Sequence, residues 1–160
     1  MQINKQNKIC FFCDNCFNTY FIDLNVKNHN LEYPYIFVSM YCTNCESEGN
    51  VFEVDENIID SIALLNKKGY TTRYSCGGHE YEDDSAGYIQ FESSMKNKEI
   101  FTTLPESWIL EDLTNKKDIY KSYIIRQKDK LSKHFTNEQL LKVNNELYDW
   151  VVSLPNIRKG

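Results

Sequence analysis

The chain has 160 residues, 41% of them hydrophobic and 14% aromatic, with 18 basic and 23 acidic side chains and a net charge of −5. That length suits one domain or a small module joined to a modest second one, and the apolar content excludes wholesale disorder. The charge argues against a whole-surface grip on nucleic acid, and no apolar stretch is long enough for a transmembrane helix or an N-terminal export signal.

The first half reads as strands around cysteines. Lys8–Phe12, Thr19–Leu24, Tyr35–Tyr41 and Asn50–Val54 are rich in aromatic and β-branched residues and are separated by polar breaks. Asn25–Tyr33 is polar and stops at Pro34, so it is expected to be a loop. Asp55 then has the character of a helix N-cap, followed by Ile58, Ile59, Ile62 and Leu65 at helical spacing. Lys67 and Lys68 complement the helix dipole, and Gly69 supplies the stop, which predicts a helix over 55–68. Tyr70–Cys76 and Gly87–Glu92 return to strand composition on either side of a glycine turn and an acidic run, Glu80, Glu82, Asp83 and Asp84. Trp108–Leu110 and Ser122–Arg126 are weaker strand candidates. Thr136 and Gln139 form a capping-box pattern opening a helix over 136–153. Its apolar face is expected to comprise Leu140, Leu141, Leu147, Tyr148, Val151 and Leu154, with Pro155 closing it.

Six cysteines without an export signal point to metal ligands or thiols in a reducing compartment, hence a cytoplasmic protein. Cys13-Asp14-Asn15-Cys16 and Cys42-Thr43-Asn44-Cys45 are two Cys-x-x-Cys knuckles. Two residues between thiolates let a tight turn aim both sulfurs at one ion, and two such turns complete a tetrahedron suited to structural zinc(II). Cys10-x-x-Cys13 overlaps the first knuckle as an alternative pair. Asp14-Asn15 is better turn chemistry than Phe11-Phe12, so Cys10 is read as a buried strand residue.

The knuckles and their flanking strands resemble a zinc ribbon over residues 8–54. The implied architecture is α+β: an N-terminal antiparallel zinc-ribbon module over 1–52, then an α+β domain over 53–160. In that second domain two helices would pack on a small antiparallel sheet.

A second cluster is Ser75-Cys76-Gly77-Gly78-His79. A Gly-Gly turn can offer backbone amides to an anion, with Ser75, Cys76 and His79 around it and His79 as base or ligand. Tyr74-Ser75-Cys76-Gly77-Gly78-His79, with Trp150-Val151-Val152-Ser153-Leu154-Pro155, resembles uncharacterised small proteins of low-GC bacteria and their phages. The same turn is distantly similar to the Ser-Ser-Cys-Ser-Gly-Arg signature of the wybutosine-synthesis tRNA methyltransferase family. Here Gly77 replaces a serine and His79 the arginine.

Charge is uneven along the chain. Residues 51–100 hold five basic and ten acidic side chains, whereas Lys116, Lys117, Lys121, Arg126, Lys128, Lys130 and Lys133 form a basic strip interleaved with Tyr120 and Tyr123. Such a strip could track phosphates and stack bases, or simply protect a solvated edge. The function expected from these features is a zinc-binding, non-enzymatic interaction protein of bacterial or phage origin. It would dock on a protein partner in nucleic-acid machinery, with inhibition of host defence (an anti-CRISPR role) as one form. The alternatives are a small RNA- or nucleotide-directed enzyme using the glycine–histidine turn, and direct nucleic-acid binding through the strip.

Overall fold

The computed structural model describes residues 8–23, 42–48, 51–78, 86–93, 95, 97–111, 123–128 and 136–158. The first sheet contains β1 (Lys8–Cys13), β2 (Thr19–Asp23) and β3 (Val51–Val54), all antiparallel in the order β2-β1-β3. Cys10 lies opposite Phe21 on one side and Val54 on the other, and Cys13 opposite Val51. β1 is thus the central strand, which explains its unbroken apolar run. Successive side chains alternate between faces, and both faces of β1 are covered. Cys10 and Phe12 join the main core with Val54, while Phe11 and Cys13 turn to a smaller cluster with Val51 and Cys42.

The second sheet contains β4 (Thr72–Cys76), β5 (Tyr88–Phe91), β6 (Trp108–Leu110) and β7 (Ile124–Gln127), in the order β4-β5-β7-β6 and antiparallel throughout. Ile89 and Phe91 of β5 and Ile125 and Gln127 of β7 are buried, alternating with half-buried neighbours, so one face of this sheet carries the core. Against it pack α1 (Ile59–Lys68) and α2 (Asn137–Ser153), contributing Ile59, Ile62, Leu65, Leu147, Trp150 and Val151. The fold is therefore α+β, with the N-terminal strands carrying the cysteine cluster. No helix among the described residues is long and apolar enough to cross a membrane.

The helix expected from Asp55 starts four residues later. Residues 56–58 form a turn, Ile58 occupies the N-cap position, and Asp55 accepts a hydrogen bond from Gly77 N at 2.8 Å. The carboxylate is spent on the neighbouring strand's end instead of on the helix's own amides. At the other end Gly69 takes φ 102°, and a Cβ there would come within 3.1 Å of Arg158 N. The left-handed cap and the docked C-terminal segment both require glycine.

α2 opens with Thr136, whose side chain accepts from Gln139 N while Gln139 accepts from Thr136 N, the reciprocal pair expected from sequence. Its buried face differs from the expectation. Leu141 and Tyr148 are exposed, and Asn144 and Trp150 are buried in their place. Leu141 follows Leu140 by one residue, a rotation of about 100° on a helix, which carries it off the sheet-facing side. The strand expected over Tyr35–Tyr41, the loop Asn25–Tyr33 and the acidic run 80–84 lie outside the described residues.

Candidate metal centre

The two knuckles have the same backbone. Phe17 N donates to Cys13 O at 2.8 Å and Cys13 N to Asn18 O at 3.0 Å; Glu46 N donates to Cys42 O at 2.8 Å and Cys42 N to Ser47 O at 2.9 Å. Phe17 and Glu46, each following the second cysteine of its knuckle, have φ of 62° and 58°. These are left-handed conformations that cost a non-glycine residue about 1–2 kcal/mol. They curl each turn so that both of its sulfurs face the other knuckle.

All four sulfurs lie within 4.8 Å of one another. Cys13 Sγ is 3.8 Å from Cys45 Sγ, and Cys16 Sγ is 3.6 Å from Cys42 Sγ. A disulfide needs about 2.05 Å. A metal about 2.3 Å from four sulfurs at the tetrahedral angle sets edges of about 3.8 Å; these two edges match that length and the other four are within 4.8 Å, close enough for the four cysteines to hold one ion. Cys13 and Cys42 are fully buried beside Phe11 and Val51, and Cys16 and Cys45 are half-buried. Four soft sulfur donors without a carboxylate among them fit zinc(II).

Polar groups around the sulfurs complete the site. Tyr20 accepts from Asn44 N at 3.2 Å, which leaves its hydroxyl proton to donate to Cys42 Sγ at 2.7 Å. Asn15 Nδ2 donates to Cys45 Sγ at 3.3 Å, and Ser47 Oγ lies 3.0 Å from the same sulfur. The Asn15 amide, with Ser47, lowers the Cys45 thiol to about 6. For Cys42, burial pushes upward but the Tyr20 hydroxyl and backbone amides outweigh it, leaving that thiol below its ordinary value. Burial pushes Cys13 up to about 11. Without an ion the centre is therefore a mixture of thiolate and thiol, and metal binding has to displace the Cys13 proton. Asn15 lies inside the first knuckle and Ser47 two residues beyond the second, but nothing local marks Tyr20, which reaches Cys42 from β2. Cys10 is buried in the main core, apart from these four.

The glycine turn follows β4. Gly77 N donates to Asp55 and Gly78 N to Cys76 Sγ at 3.4 Å, so both amides point to partners within the chain. Gly77 O accepts from Asn57 Nδ2 at 3.1 Å, Gln127 Nε2 at 3.2 Å and Asn144 Nδ2 at 3.1 Å. A Cβ at Gly77 would fall 1.7 Å from Asn57 Oδ1. The buried amides of Gln127 and Asn144 were not singled out from sequence; their partners lie on other elements. Ser75 and Cys76 are half-buried, and His79 lies outside the described residues.

Of the basic strip, Arg126 and Lys128 are described; Lys116, Lys117, Lys121, Lys130 and Lys133 lie outside the described residues. Arg126 is committed to Glu111 through Nε at 3.3 Å and Nη2 at 3.0 Å, and its guanidinium lies over the Tyr88 ring. Lys128 is exposed. Comparison with known proteins finds no matching family, no matching curated protein and no matching solved structure.

Proposed function

We propose that this chain is a zinc-stabilised, non-enzymatic interaction protein, in which zinc(II) held by Cys13, Cys16, Cys42 and Cys45 fixes the first sheet and the folded surface docks on a protein partner. The observation that carries the metal half is the pair of sulfur–sulfur separations, 3.6 and 3.8 Å, at the edge length of a zinc tetrathiolate. Four thiolates fill the coordination sphere and leave no position for substrate or activated water, so the ion's role is structural. Thiolate ligands persist where thiols stay reduced, which supports a cytoplasmic setting.

The interaction half is supported by how the remaining chemistry is spent. The amides of the glycine turn serve the fold, while large apolar side chains such as Phe21, Phe52, Tyr74 and Leu141 stand exposed. The resemblance to small bacterial and phage proteins directs the search for a partner to host nucleic-acid machinery, including defence complexes. Two measurements test the proposal. Elemental analysis of the purified full chain should find one zinc per chain, and affinity capture should recover one protein at a fixed stoichiometry. A folded, metal-free chain would remove the first half; a chain that captures no partner from candidate host lysates would remove the second.

A further inference from the structure

Between the two sheets lies a cleft of about 470 Å³, with residues 52–54 of β3 on one wall and residues 71–75 at β4 on the other. Side chains along a strand alternate between its faces. Consecutive residues of both strands line the cleft, so backbone as well as side chains borders it, and the Thr72 N–H there is already held by Asn66 Oδ1 at 3.1 Å. β3 and β4 are each outermost in their sheets among the described residues. An outermost strand directs every second backbone N–H and C=O away from its sheet. The C-terminal ends of the two strands are tied together, since Gly77 N donates to Asp55 at 2.8 Å and Asn57 Nδ2 to Gly77 O at 3.1 Å.

The lining is aromatic and acidic. Phe52 and Tyr74 are 49% and 55% exposed, a large apolar area to leave in water on facing strands. Among the described lining residues, Asp14, Glu53 and Glu92 outnumber the one cation, Arg73, whose guanidinium lies 5.3 Å from the centre of the Tyr74 ring.

We propose that this cleft receives an extended, lysine- and arginine-bearing segment of a partner protein. The proposal rests on the interaction reading above and names its site and the partner's chemistry. Carboxylates attract the cationic heads, and the rings accept both their charge and their alkyl stems. The edges that are outermost among the described residues, apart from the Thr72 N–H held by Asn66, offer main-chain hydrogen bonds to an extended peptide, which a compact organic cation could not use. The volume lies within the range of ligand-binding clefts. A nucleic acid would bring its phosphates against a net negative wall.

The test is fluorescence anisotropy on the full, zinc-loaded chain, with a labelled and capped nonapeptide of alternating arginine and threonine. A second peptide has glutamate in place of arginine. The arginine peptide should bind in the micromolar range and the glutamate peptide at least twentyfold more weakly. Glu53→Lys and Glu92→Lys should each weaken arginine-peptide binding at least tenfold, and Tyr74→Ala about fivefold. Zinc content and circular dichroism should stay unchanged in all three, because Glu53 and Tyr74 are exposed and Glu92 is half-buried at the cleft. N-methylation of alternate peptide amides should also cost at least tenfold. Equal binding of the two peptides, charge-reversal variants that bind like the parent, or displacement of the peptide by single-stranded RNA would each overturn the proposal. A partner captured equally well by the parent chain and the Glu53→Lys/Glu92→Lys double variant would also overturn the cleft while leaving the interaction reading intact. Failure of the parent chain to capture any partner would instead remove that reading, and the peptide titration would still decide the cleft.

Discussion

Phe17 and Glu46 occupy the same backbone conformation, φ 62° and 58°, one residue after the second cysteine of each knuckle, and each donates its N–H to the first cysteine's carbonyl at 2.8 Å. The two are 29 positions apart and share no side-chain chemistry, so the turn itself imposes the geometry. Glu46 is exposed, and its side chain adds little to offset the conformational cost. Glu46→Gly should therefore stabilise the zinc-loaded protein by about 0.5–1 kcal/mol, and Glu46→Val should destabilise it. Thermal melts of the two variants check this; a lower midpoint for Glu46→Gly would contradict the account of the turn.

Removing the Tyr20 hydroxyl takes a donor from Cys42 and an acceptor from Asn44 N. Tyr20→Phe is expected to lower zinc affinity about tenfold, the usual scale for a partner of a metal ligand, with the fold retained. Competition against a chromophoric chelator measures it, and an unchanged affinity would show that the hydroxyl is incidental.

Zinc affinity should rise with pH. Cys45, lowered to about 6, is already a thiolate near neutrality, whereas Cys13, raised to about 11, is a thiol that has to lose its proton. In the metal-free protein the signs are opposite. The Cys45 shift contributes stability that is present above the ordinary thiol value of 9.0 and is lost as pH falls through about 6. The Cys13 shift favours the fold below 9.0, and that advantage is lost as pH rises toward about 11. Calorimetric zinc titrations in buffers of different ionisation enthalpy should show net proton release at pH 7. Zinc uptake without proton release would contradict this assignment.

Gly77 has no room for a side chain, because its Cβ would overlap Asn57 Oδ1. Gly77→Ala should cost about 1–3 kcal/mol, the usual range for overpacking. Asn57→Ala should recover part of that loss, since the clash and the hydrogen bond belong to the same pair. A double-mutant cycle by chemical denaturation reads the coupling, and strict additivity would exclude the contact as the cause.

Lys68 closes a helix other than its own: Nζ donates to Val151 O at 2.8 Å, Val152 O at 2.7 Å and Leu154 O at 2.7 Å, capping the C-terminus of α2. Lys68→Met is expected to cost about 1.5–3 kcal/mol, as for hydrogen bonds to a charged group. Lys67→Met, at an exposed neighbouring position, should change stability by less than about 0.5 kcal/mol. Equal effects at the two positions would mean that the cap contributes nothing.

What could be read from sequence was whatever the chain settles locally. The knuckle turns, the Thr136–Gln139 box and the Gly69 stop depend on neighbours within five residues, and all three are found in place. Asp55 shows the limit. Its residue type suits an N-cap, but the partner it takes, Gly77, lies 22 positions away. Asn144 is similar: a polar residue on an apolar helix face is buried because Gly77 O and Gln127 Nε2 meet it there. Leu141 and Tyr148 are the converse, apolar residues that the second sheet does not reach. The cleft between β3 and β4 was invisible in the sequence because it exists only where the two sheets meet.

Native mass spectrometry of the full chain, purified without chelator, tests the central claim most directly. One zinc ion per chain is predicted, lost in Cys42→Ser and retained in Cys10→Ala, with Cys13, Cys16, Cys42 and Cys45 protected from alkylation until the ion is removed. A natively folded chain that carries no metal and alkylates at those four cysteines as fast as the unfolded protein would contradict it.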